Sequence, residues 1–202
     1  TVDQEVSVSL RGFGGPGFAD FMGRSVFEGN AFGFGDIGTL GQVAAFLVYL
    51  GVAARRDRMV NIRPELGYLA FSGAIGGLCV QGLKVLMARP RPGGEFVPFW
   101  QLSQAVPERL FGTGSFPSGH TAQIALLLGF VYVWHRTTPK FRRSAGIVVL
   151  LAAATMGLSR VVSFKHWLTD TVGSVFLCWM LLHYAYFGIL RIPQQLSLIH
   201  IS

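Results

Sequence analysis

Two residues, His166 and Asp170, have the types and the spacing that suit nucleophilic chemistry. They are four residues apart at the predicted start of a helix, which places them on one face and within reach of each other. A carboxylate beside one imidazole nitrogen fixes the tautomer and leaves the other nitrogen available to attack. The alternative is a structural hydrogen bond between the two side chains that only holds the helix end.

A second histidine, His120, closes the motif Phe-Pro-Ser-Gly-His at residues 116–120, directly before an apolar stretch. Ser118 occupies the N-cap position, from which we expect its hydroxyl and the following amides to point outward. Such a helix N-terminus binds anions, and Gly119 lets a ligand approach the backbone closely. The alternative is an ordinary cap followed by an interfacial histidine.

Basic residues accompany both motifs. Lys84 is the only charge in the second half of a predicted apolar helix, and Arg91 follows it, directly before Pro92. An ammonium near hydrocarbon indicates function unless it merely extends to the membrane interface. Pro92 disfavours helical geometry at Arg91, whose guanidinium fork suits two phosphate oxygens at once. Arg160 adds a further cation six residues before His166.

These side chains together combine several cations with one nucleophile and one acid. The combination fits phosphoryl transfer, in which positioning and neutralisation of the phosphate oxygens do most of the catalytic work. The sequence contains no carboxylate cluster with metal-ligand spacing. We therefore predict no metal and no cofactor, with basic side chains in the place of a metal.

The elements that must position these residues are predicted to be membrane helices. Of the 202 residues, 51% are apolar and 13% are charged, and several apolar runs approach the length of about 20 residues that crosses a bilayer. We predict an all-α, integral membrane helical bundle within a domain at 37–192. Its five spanning helices are predicted at 37–54, 65–88, 119–135, 145–158 and 168–190. Residues 1–36, rich in Gly and Phe, are predicted to lie at the membrane interface, and residues 193–202 form a tail of no assigned function.

The cysteines and the net charge point to no other class of protein. Cys79 and Cys178 fall inside apolar stretches, so we interpret them as small buried hydrophobes rather than a disulfide or a metal site. The net charge of +7 comes from basic blocks beside apolar helices. Membrane orientation explains such blocks, so we expect membrane lipids and no nucleic acid as partners.

The basic clusters also predict an orientation, because Lys and Arg concentrate in cytoplasmic loops. Three clusters fall on one face of the predicted bundle, at 55–63, at 136–143 and at Arg191. The segments 89–118 and 159–167, which hold the motifs, then lie on the opposite, extracytoplasmic face. We expect an integral protein of a bacterial cytoplasmic (inner) membrane with its active site facing outward.

The three motifs resemble the signature of the type 2 phosphatidic acid phosphatase superfamily, the lipid phosphate phosphatases, which reads K-x6-RP, PSGH and SR-x5-H-x3-D. The resemblance spans residues 84–170, and every internal spacing is intact. It implies that His166 is the nucleophile, that Asp170 orients it and that His120 protonates the leaving alkoxide. It also implies the residues that hold the phosphate, which are Lys84, Arg91, Ser118, Gly119 and Arg160.

The resemblance further implies an enzyme that hydrolyses a phosphomonoester or diphosphate of a lipid through a phosphohistidine. Membrane members of the family have six spanning helices, so one more helix is expected upstream of Thr1. A lipid phosphotransferase that uses the same phosphohistidine and a non-catalytic lipid-phosphate-binding membrane protein are the alternatives. Polyprenyl diphosphate, phosphatidylglycerol phosphate, phosphatidic acid and a lipid A phosphate are all candidate substrates, with selectivity expected in the loop 93–115. The sequence does not indicate an oligomeric state.

Overall fold

The computed structural model describes residues 2–11, 63–87, 89–93, 114–134 and 137–193, together with residues 13, 17, 44 and 47. All regular secondary structure in these ranges is helical, which confirms the predicted all-α fold. Most of the predicted first span, of the predicted interfacial segment and of the loop 93–115 lies outside the described residues.

Within the described ranges, six α-helices and one π-helical turn follow one another along the chain. They are α1 (Val2–Ser9), α2 (Arg63–Met87), α3 (Gly119–Leu126), α4 (Leu128–Val133), α5 (Pro139–Val162), α6 (Leu168–Tyr184) and the π-helix Ala185–Ile189. Among the residues that the structure describes, three stretches are long and apolar enough to cross a membrane. These stretches, which indicate an integral membrane protein, are Pro64–Met87, Pro139–Val162 and Leu168–Ile189.

Helix α5 is longer than the predicted span at 145–158. Thr138 caps its N-terminus by accepting a hydrogen bond from the Phe141 amide at 3.3 Å, and Pro139 takes the first helical position, where its missing N–H costs nothing. Basic residues such as Lys140 therefore belong to the first turns of the helix rather than to a loop. From Lys140 to Arg160 the helix rises about 30 Å, the thickness of the hydrocarbon layer.

The predicted span at 119–135 consists of two short helices, α3 and α4, separated by a turn at Leu127. Helix α3 lies inside the bundle, where Ala122 and Ala125 are completely enclosed. A Cβ atom added to Gly76 of α2 would lie only 2.7 Å from the Leu126 side chain, so the two helices approach closely. Small residues at such contacts are what membrane helices use to pack against each other.

Packing around Tyr68 joins α2 to the end of α6 and to the π-helix that follows it. The Tyr68 hydroxyl donates a hydrogen bond to the Leu182 carbonyl at 3.2 Å, and the Tyr68 ring meets the edge of Tyr186 with the centroids 5.1 Å apart. The outer faces of the bundle carry exposed apolar side chains, among them Val148 on α5 and Phe176 on α6. Exposed apolar faces of this kind suit contact with lipid.

The two cysteines differ in their surroundings. Cys178 is buried, as predicted, whereas Cys79 is exposed, so the prediction that it is a buried hydrophobe is wrong. The reason is that only 22% of the apolar segment of α2 is buried, and Cys79 lies on an exposed part of that helix.

The contact between Gly173 of α6 and the Phe116 ring gives a test of this packing. A Cβ atom at residue 173 would lie 2.6 Å from Cε2 of Phe116, so Gly173→Ala must displace the ring. We expect it to destabilise the protein by about 1–3 kcal/mol, measured as a lower unfolding temperature in detergent. Gly77→Ala is the matched control, since nothing lies within 4 Å of the Cβ position there. Equal unfolding temperatures for both variants would contradict this account.

Candidate active site

Several helix ends meet at one end of the bundle. The segment after α2 bonds to the segment before α3, because the Ser115 amide donates to the Arg89 carbonyl at 2.7 Å. The start of α3 bonds to the first turn of α6, because the Ser118 amide donates to the Asp170 carbonyl at 3.3 Å. The motifs that are far apart in the sequence are therefore neighbours in space.

The end of α5 positions His166. The chain leaves the helix after Val162, and Phe164 adopts a left-handed φ of 57°, which reverses its direction. The Arg160 carbonyl then accepts hydrogen bonds from the amides of Lys165 at 3.0 Å and His166 at 3.2 Å. This turn fixes the backbone of His166 against the last turn of α5.

The His166 ring is buried, and its tautomer follows from its contacts. Nδ1 lies 2.7 Å from the backbone carbonyl oxygen of Ser115 and 3.5 Å from Oδ2 of Asp170. A carbonyl oxygen only accepts hydrogen bonds, so Nδ1 carries the proton and donates it to Ser115. Nε2 of the neutral ring is then the nitrogen with the lone pair. The nearer partner of Nδ1 is thus the Ser115 carbonyl, and the Asp170 carboxylate lies farther from it.

Asp170 is 0% exposed, and both of its carboxylate oxygens have partners. Oδ1 accepts a hydrogen bond from Nη1 of Arg89 at 2.6 Å. Oδ2 accepts one from the Trp167 amide at 2.9 Å, which caps α6, and a short one from the Ser115 hydroxyl. Trp167 itself donates from Nε1 to the Pro90 carbonyl at 2.9 Å.

Lys84 brings a cation to the start of α3. It is half-buried near the end of α2, and its Nζ would lie 3.4 Å from a Cβ atom at Gly119, so the ammonium rests against the glycine. Lys84 also interacts electrostatically with Arg91 and with Asp170. The Arg91 side chain is exposed, two residues beyond the buried Arg89.

Ser118 occupies the predicted N-cap position with extended backbone geometry. Its hydroxyl does not point outward, contrary to the prediction, but is completely buried and accepts a hydrogen bond from Oγ1 of Thr121 at 3.0 Å. The reason is that hydrogen bonds to α6 hold the backbone of Ser118 at the start of α3. Its amide bonds to Asp170, and its carbonyl accepts from the Ser174 hydroxyl of α6 at 3.1 Å.

The remaining predicted residues lie on the same helix ends. His120 is half-buried in the first turn of α3, and the Arg160 side chain is buried in the last turn of α5. Three residues that the sequence did not single out also belong to the network: Arg89, Ser115 and Asp3. Within the part of the chain that the structure describes, no three His, Cys, Asp or Glu side chains are grouped to hold a metal ion.

An apolar cavity of about 960 Å³ runs between α3–α4, α5 and α6. Its lining includes Thr121, Leu168 and Thr171, which lie within three residues of Ser118 or Asp170 in the sequence. Tyr132 also lines it, eleven residues along the chain from Thr121. Eleven residues span about 16 Å along a helix. The cavity therefore extends from the end of the bundle that holds the site into the interior of the bundle.

Comparison with known proteins identifies the family. Residues 65–191 match the PAP2 superfamily. The chain belongs to this superfamily. All eight of the predicted site residues of the PAP2 chain fall inside the matched range, so the resemblance seen in the motifs is confirmed at the level of the family.

One relative of the PAP2 chain is named "Probable diacylglycerol pyrophosphate phosphatase 1" and comes from Schizosaccharomyces pombe. The two are 30% identical over 164 residues, a match that covers 68% of this chain. It covers 59% of the relative, so the PAP2 chain spans less than two thirds of that protein. No solved structure matches the PAP2 chain.

The tautomer of His166 in the PAP2 chain can be measured directly. In ¹⁵N-histidine NMR spectra recorded under conditions in which the ring is neutral, we expect a protonated Nδ1 and an unprotonated Nε2 for this residue. The signal is assigned by its disappearance in His166→Gln. A proton on Nε2 in place of Nδ1 would contradict the hydrogen bond to the Ser115 carbonyl.

Proposed function

We propose that the chain is a membrane-bound enzyme that hydrolyses a phosphomonoester or diphosphate of a lipid through a phosphohistidine on His166, without a metal. The observation that carries this proposal is the contact of 2.7 Å between Nδ1 of His166 and the Ser115 carbonyl. It holds the proton on Nδ1 and directs the lone pair to Nε2, the form of the ring that a nucleophile needs.

The proposed reaction has two steps. Nε2 of His166 attacks phosphorus, the bond from phosphorus to the lipid oxygen breaks, and His120 gives that oxygen a proton. Water, deprotonated by His120, then attacks the phosphohistidine and releases phosphate together with the restored imidazole. The position of His120, half-buried one residue after Gly119, supports this role.

The phosphate is proposed to lie at the N-terminus of α3. Lys84 against Gly119 supplies a positive charge there, and the helix N-terminus supplies amides and the positive end of its dipole. We assign the remaining contacts to Arg91, Arg160 and the Gly119 amide. Ser118 is proposed to hold the start of α3 in place beside the phosphate, since its hydroxyl is buried and its amide bonds to Asp170. Cations at these positions neutralise the charge that a metal ion neutralises in other phosphoryl-transfer enzymes.

A lipid is the proposed substrate because of what surrounds the site. The apolar cavity begins beside Thr121 and Thr171, next to the proposed phosphate position, and has room for part of a hydrocarbon chain. The name of the yeast relative, "Probable diacylglycerol pyrophosphate phosphatase 1", adds a diacylglycerol pyrophosphate to the four substrates expected from the sequence. Soluble phosphate esters lack the tail that would occupy the cavity.

The site is proposed to face the extracytoplasmic side. Lys140, Arg142 and Arg143 lie at the start of α5, about 30 Å along the helix from Arg160 at the site. Basic residues concentrate on the cytoplasmic side of membrane helices, so the opposite end faces outward. The bacterial inner membrane stays a prediction, since the relative described above comes from a yeast.

The test is release of inorganic phosphate by purified protein from a panel of lipid phosphates and diphosphates. We expect His166→Ala to lower the rate more than about a thousandfold and His120→Ala to lower it by about 10²–10⁴. His183→Ala is the matched control, since this exposed histidine lies near the opposite end of α6 and should leave the rate unchanged.

Undiminished phosphate release by His166→Ala would remove that residue from the mechanism. Loss of activity in EDTA that returned with added magnesium would contradict the metal-free site. Labelled phosphate that appeared on an added acceptor lipid, without free phosphate, would indicate the phosphotransferase. A folded wild-type protein that released phosphate from no lipid would favour the non-catalytic alternative.

A further inference from the structure

Arg89 is a buried cation in contact with Asp170. Its side chain is 4% exposed, and its guanidinium lies over the Trp167 ring at 5.4 Å. Nη1 donates to Oδ1 of Asp170, and Nη2 donates to Oδ2 of Asp3, both at 2.6 Å. The planar fork of one arginine thus bridges two carboxylates from opposite ends of the chain.

Asp3 connects this bridge to the N-terminal helix α1. Its Oδ2 also accepts a hydrogen bond from the Thr169 hydroxyl at 2.6 Å, and its Oδ1 accepts one from the Thr169 amide at 3.2 Å. Asp3 therefore bonds at the same time to Arg89 and to the first turn of α6, the turn that carries Asp170. The side chain is largely buried in this position.

We propose that Asp3 and Arg89 are positioning residues for His166, through which α1 holds the Asp170 carboxylate in place; this inference rests on the proposed function. Asp170 lies 3.5 Å from Nδ1 of His166, close enough for its negative charge to stabilise the imidazole as positive charge develops there. Arg89 fixes the position of that carboxylate, and Asp3 fixes the position of Arg89.

The charges explain why both acids are needed. A guanidinium bound to Asp170 alone would neutralise that carboxylate and weaken its effect on His166. Asp3 supplies a second negative charge to the same guanidinium, so the group of two carboxylates and one guanidinium keeps a net negative charge beside the imidazole. Neutralising Asp3 therefore weakens the stabilisation of positive charge on His166 without removing any group proposed to hold phosphate.

The effects on kcat and KM distinguish a positioning role from a role in substrate binding. Because Asp3 and Arg89 act through Asp170, their loss should lower kcat and leave KM within about twofold. Charge-assisted hydrogen bonds are strong enough that the loss of one should lower kcat about tenfold or more. A residue that held the phosphate would instead raise KM.

The experiment measures kcat and KM of the full chain in detergent, with the lipid phosphate that the wild type hydrolyses fastest. We expect Asp3→Asn to lower kcat about tenfold at constant KM. Arg89→Lys, which keeps the charge but not the fork, should retain more activity than Arg89→Gln. Glu5→Gln is the matched control, because it removes one negative charge from the exposed side of the same helix and should leave both constants unchanged. Unfolding temperatures of all variants identify any that fail to fold.

An unchanged kcat in folded Asp3→Asn would overturn the inference, even if Arg89→Gln does not fold. The inference is likewise overturned if KM rises while kcat stays constant, or if Glu5→Gln loses as much activity as Asp3→Asn. Failure of the proposed function would look different, because the wild type itself would then release no phosphate in the same assay. In that case the inference fails together with the proposed function.

Discussion

The buried carboxylate of Asp170 is the constraint on which the arrangement of the site depends. A carboxylate that is 0% exposed inside an apolar bundle is very unfavourable unless hydrogen bonds and an opposite charge compensate it. Arg89 supplies the charge, and Ser115 and Trp167 supply hydrogen bonds. Meeting this requirement brings the segment after α2, the segment before α3 and the start of α6 together at one point.

His166 takes its geometry from the same point. Its ring bonds to the carbonyl of Ser115, the residue whose hydroxyl bonds to Asp170, and its backbone bonds to the last turn of α5. The imidazole is therefore held both at its ring and through its backbone before any substrate arrives. Preorganisation of this kind suits the proposed phosphoryl transfer, because protein dipoles that already face the charge that develops need no rearrangement during the reaction.

Some of this could be predicted from the sequence because it depends on local spacing. The all-α membrane fold followed from the apolar runs, and the four-residue separation placed His166 near Asp170. The start of α5 could not be predicted as well. In the sequence, charged residues in the first turns of a helix, such as Lys140, cannot be told apart from charged residues in a loop. Only the cap at Thr138 marks the start of the helix.

The partners of Asp170 could not be predicted from sequence patterns because they are distant from it along the chain. Arg89 is 81 residues away from it, and the contact of Asp3 with Thr169 spans 166 residues. A buried acid predicts that some cation must pair with it, but not which one. The orientation of the Ser118 hydroxyl was misjudged for a similar reason, since packing between α3 and α6, rather than the cap pattern, buries it.

The most direct test of this account is to trap the phosphorylated intermediate. Protein mixed with a lipid carrying a radiolabelled phosphate and quenched within one turnover should carry a base-stable, acid-labile label. Mass spectrometry should locate that label on His166. Chromatography of the phosphohistidine after alkaline hydrolysis should identify the Nε2 isomer, because Nδ1 is occupied by the Ser115 carbonyl. A label on Nδ1, a label on another residue, or rapid hydrolysis with no labelled protein would contradict the account.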